Sequence, residues 1–213
     1  MSNPLHHKMR TQSLLQSDMQ PFGSFVLLCI LIFSGCMGVP PGVQVVEDFE
    51  IERYQGAWYE IARLDHRFEK GLTHVSATYT PRADGGVTVN NRGYDSKRNR
   101  WKSIEGRAYA AEAADKGRLK VSFFRPFYAA YNVIALDQKD YSFAMVCGAN
   151  KSYLWILSRE KILPDSVFNK LVSDASRVGF PTQDLVLVPQ DNALLSSSNS
   201  VSKTKTHNEK GEL

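Results

Sequence analysis

The sequence predicts an all-β fold: an eight-stranded antiparallel up-and-down barrel with one C-terminal α-helix packed on its outside. Three observations carry this. Eight runs rich in aromatic and β-branched residues follow one another at close spacing, each bounded by turn residues. All but one of the connections between them are short, the exception being Leu64 to Leu72, so each strand pairs with its neighbour in the chain. A single helical period occurs, and it comes after the last strand. A meander of this kind closes most naturally on itself, because closure removes both exposed sheet edges and leaves an interior for one small ligand.

The elements follow in order. Asp48 to Tyr54 places Phe49, Ile51 and Tyr54 apart by helical steps behind early acidic residues, which suits one short turn closing a barrel end. The first strand is Gly56-Ala57-Trp58-Tyr59-Glu60-Ile61-Ala62-Arg63, with a glycine that lets the chain turn tightly beneath a large indole. Seven more are expected at Thr73 to Thr80, Gly86 to Tyr94, Trp101 to Ala111, Leu119 to Phe124, Tyr128 to Leu136, Tyr141 to Gly148 and Tyr153 to Ser158. Hairpin material separates most of them, including Asp84-Gly85-Gly86, Asp95 to Asn99, Asp115-Lys116-Gly117 and Ala149-Asn150-Lys151. Pro164 then suits a first helical turn, Val167, Phe168, Leu171, Val172 and Ala175 share one face, and Gly179 stops the helix. A short extended piece, Asp184 to Val188, returns to the sheet.

Around this core the chain carries a leader and a tail. Its 213 residues suit one domain, 43% hydrophobic content is that of a globular protein, and a net charge of +4 spread among acidic residues gives no dedicated nucleic-acid surface. Lys8 and Arg10 precede an apolar run from Phe22 to Phe33, the pattern of an export signal, with translation starting at Met1 or Met9. The run ends in Phe33-Ser34-Gly35-Cys36, which resembles the lipobox of bacterial lipoproteins; that likeness implies an acylated Cys36, and Met37 in place of Asp implies the outer membrane. The expected organisation is a lipoprotein-type signal peptide at 1–35, a lipidated tether at 36–45 led away from the membrane by Pro40 and Pro41, a barrel domain at 46–190 and a disordered, Ser-rich tail at 191–213. Cys147 is the sole thiol of the mature chain beside Cys36, so no internal disulfide is expected.

Eight strands, one late helix and Gly56-x-Trp58 on the first strand together resemble the lipocalin family over Phe49 to Pro189. The family's second motif is met in part, by Leu136-Asp137 or by Asp140-Tyr141, and its third by Arg159 closing the last strand. With the lipobox added, the likeness is to the outer-membrane lipoproteins of that family. It implies a structural plug of Gly56, Trp58 and Arg159, the guanidinium lying across the indole at the closed end, a contact worth up to about 2 kcal/mol when desolvated. If Arg159 points to the barrel axis, alternation turns Leu157, Trp155 and Tyr153 the same way. Tyr131, Val133, Val146, Ile104 and Ala108 join them as ligand-lining candidates, and Tyr128 with them, although an outward setting of Tyr131 or Tyr128 fits equally. Arg67, Lys70, Arg98, Arg100 and Arg125 are candidates to meet a carboxylate or phosphate at the mouth.

The function this implies is binding or transport of a fatty acid or lysophospholipid by a protein anchored in the bacterial outer membrane through Cys36, its barrel facing the periplasm. No cofactor, metal or nucleic-acid partner is expected, and a homodimer is left open. The sequence holds no Gly-x-Ser-x-Gly turn, no His-Glu-x-x-His pair and no glycine-rich phosphate loop. Two alternatives stand beside transport: an enzyme on the same fold acting on a lipid-like substrate, with Cys147 and His74 as its candidate pair, and a structural envelope protein whose barrel is filled by its own side chains.

Overall fold

The structure, a computed structural model, describes residues 37–190. The export signal, Cys36 and the tail at 191–213 lie outside the described residues. A short helix α1 (Ile51–Tyr54) leads into eight consecutive strands: β1 (Gly56–Leu64), β2 (Leu72–Pro81), β3 (Val87–Asp95), β4 (Arg100–Ala110), β5 (Arg118–Phe124), β6 (Phe127–Leu136), β7 (Phe143–Cys147) and β8 (Leu154–Ser158). Helix α2 (Asp165–Arg177), a 3-10 turn (Thr182–Asp184) and β9 (Leu185–Leu187) complete it. Each strand pairs antiparallel with the next, and β1 bonds to β2 through its first half and to β8 through its second, so the sheet is a closed barrel. Where β1 leaves β2, β9 takes the vacated edge at Ala62 to Leu64, and Gln190 Nε2 donates to the carbonyls of Glu60 and Val75, tying β1 to β2. The expected strands differ from these by one or two residues at their ends.

Side-chain alternation separates two cores. Trp58, Tyr79, Val87, Val89, Ala108, Leu119, Val133 and Leu157 point into the barrel. Ala62, Met145, Cys147, Leu154 and Ile156 point out and meet Leu171, Ala175 and Phe180 of the helical segment. Helix α2 ends where Gly179 adopts φ 85°, the left-handed conformation glycine reaches at no steric cost, while the Phe180 amide donates back to the Ala175 carbonyl.

Because the strands alternate in direction, four connections collect at one end: 65–71, 96–99, 125–126 and 148–153. This end is called the mouth. The opposite end carries α1 and the remaining turns. The segment expected to be a free tether is instead fastened to the wall. Pro40 is fully buried, the Val46 amide donates to Val133 O, and Gly117 donates to Val46 O. Arg118 and Asn132 side chains reach the carbonyls of Met37 and Gly38, and Asn132 also reaches Gly148 O beside the β7–β8 hairpin. Long-range hydrogen bonds thus override the extended path that two prolines alone favour.

Candidate functional site

At the closed end, Trp58 is fully buried and donates its indole N–H to Tyr54 O at 2.8 Å. The Arg159 guanidinium lies 4.0 Å from the centre of the Trp58 ring and donates to the carbonyls of Ala57, Arg53 and Tyr141. Gly56 is required here twice over: its φ is 90°, and a Cβ would sit 3.3 Å from Arg159 Nη1. Above the plug, the Tyr131 hydroxyl stands 2.8 Å from the hydroxyls of both Tyr54 and Tyr79. Burial raises all three phenols, Tyr79 to about 12, so they stay neutral and hold each other as donors and acceptors. Tyr131, only partly buried, forms an amphipathic floor.

From that floor to the mouth the inward positions change character. Near the closed end they are sealed, as at Trp58, Tyr79, Val87, Leu119 and Val133. Nearer the mouth, Ala77, Val121, Phe123 and Trp155 stay partly accessible, and Ile104, opposite Asn91, is 39% exposed. The barrel is therefore dry and packed at one end and open to solvent at the other, with an apolar lining between.

Charge enters this lining at one place. A bulge in β1 between Glu60 and Ala62 shifts the alternation, so that both Glu60 and Arg63 are buried; Arg63 Nη1 donates to Glu60 Oε1 at 2.7 Å. Arg63 also reaches the carbonyls of Glu69 and Leu72, pinning the long first connection. Glu69 accepts from Trp155 Nε1 at 3.0 Å and lies 3.0 Å from His66 Nε2. Burial pushes the Glu60 carboxyl up to about 8, with the Glu69 charge adding to it and Arg63 opposing. Burial works the same way on Glu69, but there the hydrogen bonds from His66 and Trp155 prevail and hold it below its ordinary value.

The sequence-derived candidates fall into place unevenly. Leu157, Trp155, Tyr131, Val133, Val146, Ala108 and Ile104 face the interior, and Tyr153 stacks on Trp155 at the rim with ring centres 6.1 Å apart. Tyr128 does not. It is an odd number of residues from Tyr131 along β6, which turns it to the outer surface, where Lys120 lies 5.6 Å from its ring. Cys147 is fully buried on the outer face beneath α2, and burial pushes its thiol up to about 12, a protonated group with no access to the lumen. His74 lies far from it, on β2 against Tyr94 and Trp101. Among the described residues no cluster of His, Cys, Asp and Glu is arranged to hold a metal. Sequence reasoning missed the Glu60–Arg63 pair. Glu60, two residues after Trp58, carried the signal on its own strand parity, whereas the bulge that turns Arg63 inward left none.

Comparison with known proteins agrees with the geometry. Residues 49–190 match the lipocalin-like domain family. The chain is 46% identical over 166 residues, 78% of its length and 97% of the relative's, to the outer membrane lipoprotein Blc of Vibrio cholerae. It is 51% identical over 151 residues, 71% of its length and 85% of the relative's, to the outer membrane lipoprotein Blc of Escherichia coli K12. Among solved structures, insecticyanin of the tobacco hornworm Manduca sexta superposes with a TM-score of 0.60 at 21% identity, over 73% of this chain and 88% of its own, a likeness of fold alone.

Proposed function

The chain belongs to the lipocalin family, and from that premise we propose that it is a lipoprotein of the bacterial outer membrane that binds a fatty acid or lysophospholipid inside the barrel and carries it within the envelope. One observation carries the ligand reading: the apolar lining between the tyrosine floor and the mouth is partly open to solvent, while Tyr54 and Trp58 beneath the floor are fully buried. Acyl chains gain by leaving water for such a lining, at roughly 0.8 kcal/mol for each methylene buried.

The location rests on Phe33-Ser34-Gly35-Cys36 and on the names of relatives 46% and 51% identical over the 166 and 151 residues aligned. In this reading residues 1–35 are removed on export, Cys36 bears the acyl chains and the barrel faces the periplasm. Two acyl chains on one residue suffice for stable attachment. The test is direct: protein purified from membranes is analysed for bound lipid by native mass spectrometry and titrated with lysophosphatidylethanolamine and palmitate while Trp fluorescence is followed. Stoichiometric lipid and a saturable change are expected. Absence of both would overturn carriage, and a Cys36→Ala chain that stays in salt-washed outer membranes would overturn the anchor.

A further inference from the structure

The two ends of the barrel differ in charge and in exposed apolar surface. The four mouth connections contain six basic residues, Arg67, Lys70, Lys97, Arg98, Arg125 and Lys151, against two acidic ones, Asp65 and Glu69. Of those two, Glu69 is turned inward onto Trp155 and His66, and Asp65 lies 3.7 Å from buried Arg63. At the opposite end, the segment 47–55 and the connections 82–86, 111–117, 137–142 and 159–164 hold ten acidic residues against six basic.

The exposed phenylalanines follow the same polarity, although Ile162 at the opposite end is exposed as well. Phe68 is 64% exposed, and Phe124 and Phe127, flanking the two-residue turn Arg125-Pro126, are 69% and 64% exposed. The Arg67 guanidinium lies 4.7 Å from the Phe68 ring, so cation and aromatic are presented together. Three bare phenylalanines set among arginines and lysines make a costly surface in water. They suit the boundary of a bilayer, where rings enter the acyl region and cations meet headgroups.

We infer that the barrel docks mouth-first on an anionic phospholipid surface, with Phe68, Phe124 and Phe127 in the interface and the basic mouth connections on the headgroups. Charge complementarity selects this partner: the mouth is attracted to an anionic bilayer and the opposite end is repelled by it, so the field alone turns the barrel. The proposal rests on the lipoprotein reading given above, in which the chain is already tethered to the bilayer. An acyl ligand then passes between bilayer and lumen without crossing open water.

The test places a nitroxide on Phe124→Cys in one full-length chain and on Ile162→Cys in another. Ile162 is 75% exposed but lies beyond β8 at the opposite end, and buried Cys147 is out of reach of the label. The proteins are purified from membranes and reconstituted into vesicles of phosphatidylcholine with a minor share of phosphatidylglycerol. At position 124, collision with a water-soluble nickel chelate is expected to fall several-fold and collision with oxygen to rise, both reverting towards the aqueous values when Arg67, Lys97, Arg98 and Arg125 are replaced by Gln. Position 162 stays aqueous. An aqueous label at 124 in protein that floats with the vesicles would overturn mouth-first docking and leave the lipoprotein reading intact. A buried label at 162 would reverse the orientation, and a chain that does not float would overturn both readings.

Discussion

Replacing Arg159 by Ala removes the contact on which the closed end depends. Two kinds of interaction are lost at once. The guanidinium lies 4.0 Å over an indole that is itself fully buried, so one face of the cation is desolvated and the pair is worth about 1–2 kcal/mol. Its three hydrogen bonds go to the carbonyls of Ala57, Arg53 and Tyr141, which regain water when the side chain is cut back and so contribute only about 0.5 kcal/mol each. Together these give a loss of roughly 2–4 kcal/mol, which for a domain of this size lowers Tm by about 5–15 °C. Differential scanning calorimetry and urea unfolding measure it. Arg159→Lys should recover less than half, since an ammonium cannot span three carbonyls and a ring face together. A loss below about 1 kcal/mol, or full rescue by Lys, would show that the plug does not depend on the fork.

Three further outcomes are expected. Trp155→Ala removes both an inward ring and a donor to Glu69, so lysophospholipid affinity should weaken and most of the ligand-induced fluorescence change should vanish; an unaltered titration would refute its place beside the ligand. Tyr131→Phe keeps the ring but strips a hydroxyl bonded to Tyr54 and Tyr79, which should cost about 1–3 kcal/mol in urea unfolding, and no loss would mean that water replaces it freely. Glu60 has a folded pKa near 8 against an ordinary 4.5, so its stabilising contribution is complete below about 4.5 and is lost as pH rises to about 8; Glu60→Gln should therefore gain on wild type with pH across that window, by up to about 1.4 kcal/mol per unit, and a gap that stays flat or narrows would contradict it.

Most of the barrel was legible because its determinants are local. Alternation, short turns and a single helical stripe name the elements, and Gly56, Trp58 and Arg159 meet where the resemblance implied, in a plug whose geometry then turns Trp155 and Leu157 inward by simple parity. What escaped has non-local causes. The bulge after Glu60 arises from pairing with β8 and leaves no mark in β1 alone, so Arg63 reads as an outward charge although it is buried. Tyr128 was open between two faces because register on β6 is decided by its partners Leu119 and Val121 rather than by its own residues. The N-terminal segment lies flat because Val133, Arg118 and Asn132, some eighty to ninety residues away, supply its hydrogen bonds.

The mouth itself has two unlike lips, and this bears on how a ligand enters. A connection as long as 65–71 is ordinarily the mobile part of a barrel rim, but here Arg63 holds it through the carbonyls of Glu69 and Leu72, and Trp155 and His66 hold its Glu69 side chain. Opening that lip would take from buried Arg63 the carbonyls that accept its second amino group and from Trp155 its carboxylate acceptor, leaving Arg63 only Glu60, a loss of several hydrogen bonds to charged groups at once, each worth about 1.5–3 kcal/mol. Across the barrel, the β5–β6 turn bears Phe124 and Phe127 with most of their surface in water, so its displacement sacrifices little buried area. Passage of an acyl chain therefore costs least on the phenylalanine side, where the further inference also places the bilayer, and the charged lip acts as the fixed wall against which the chain is received.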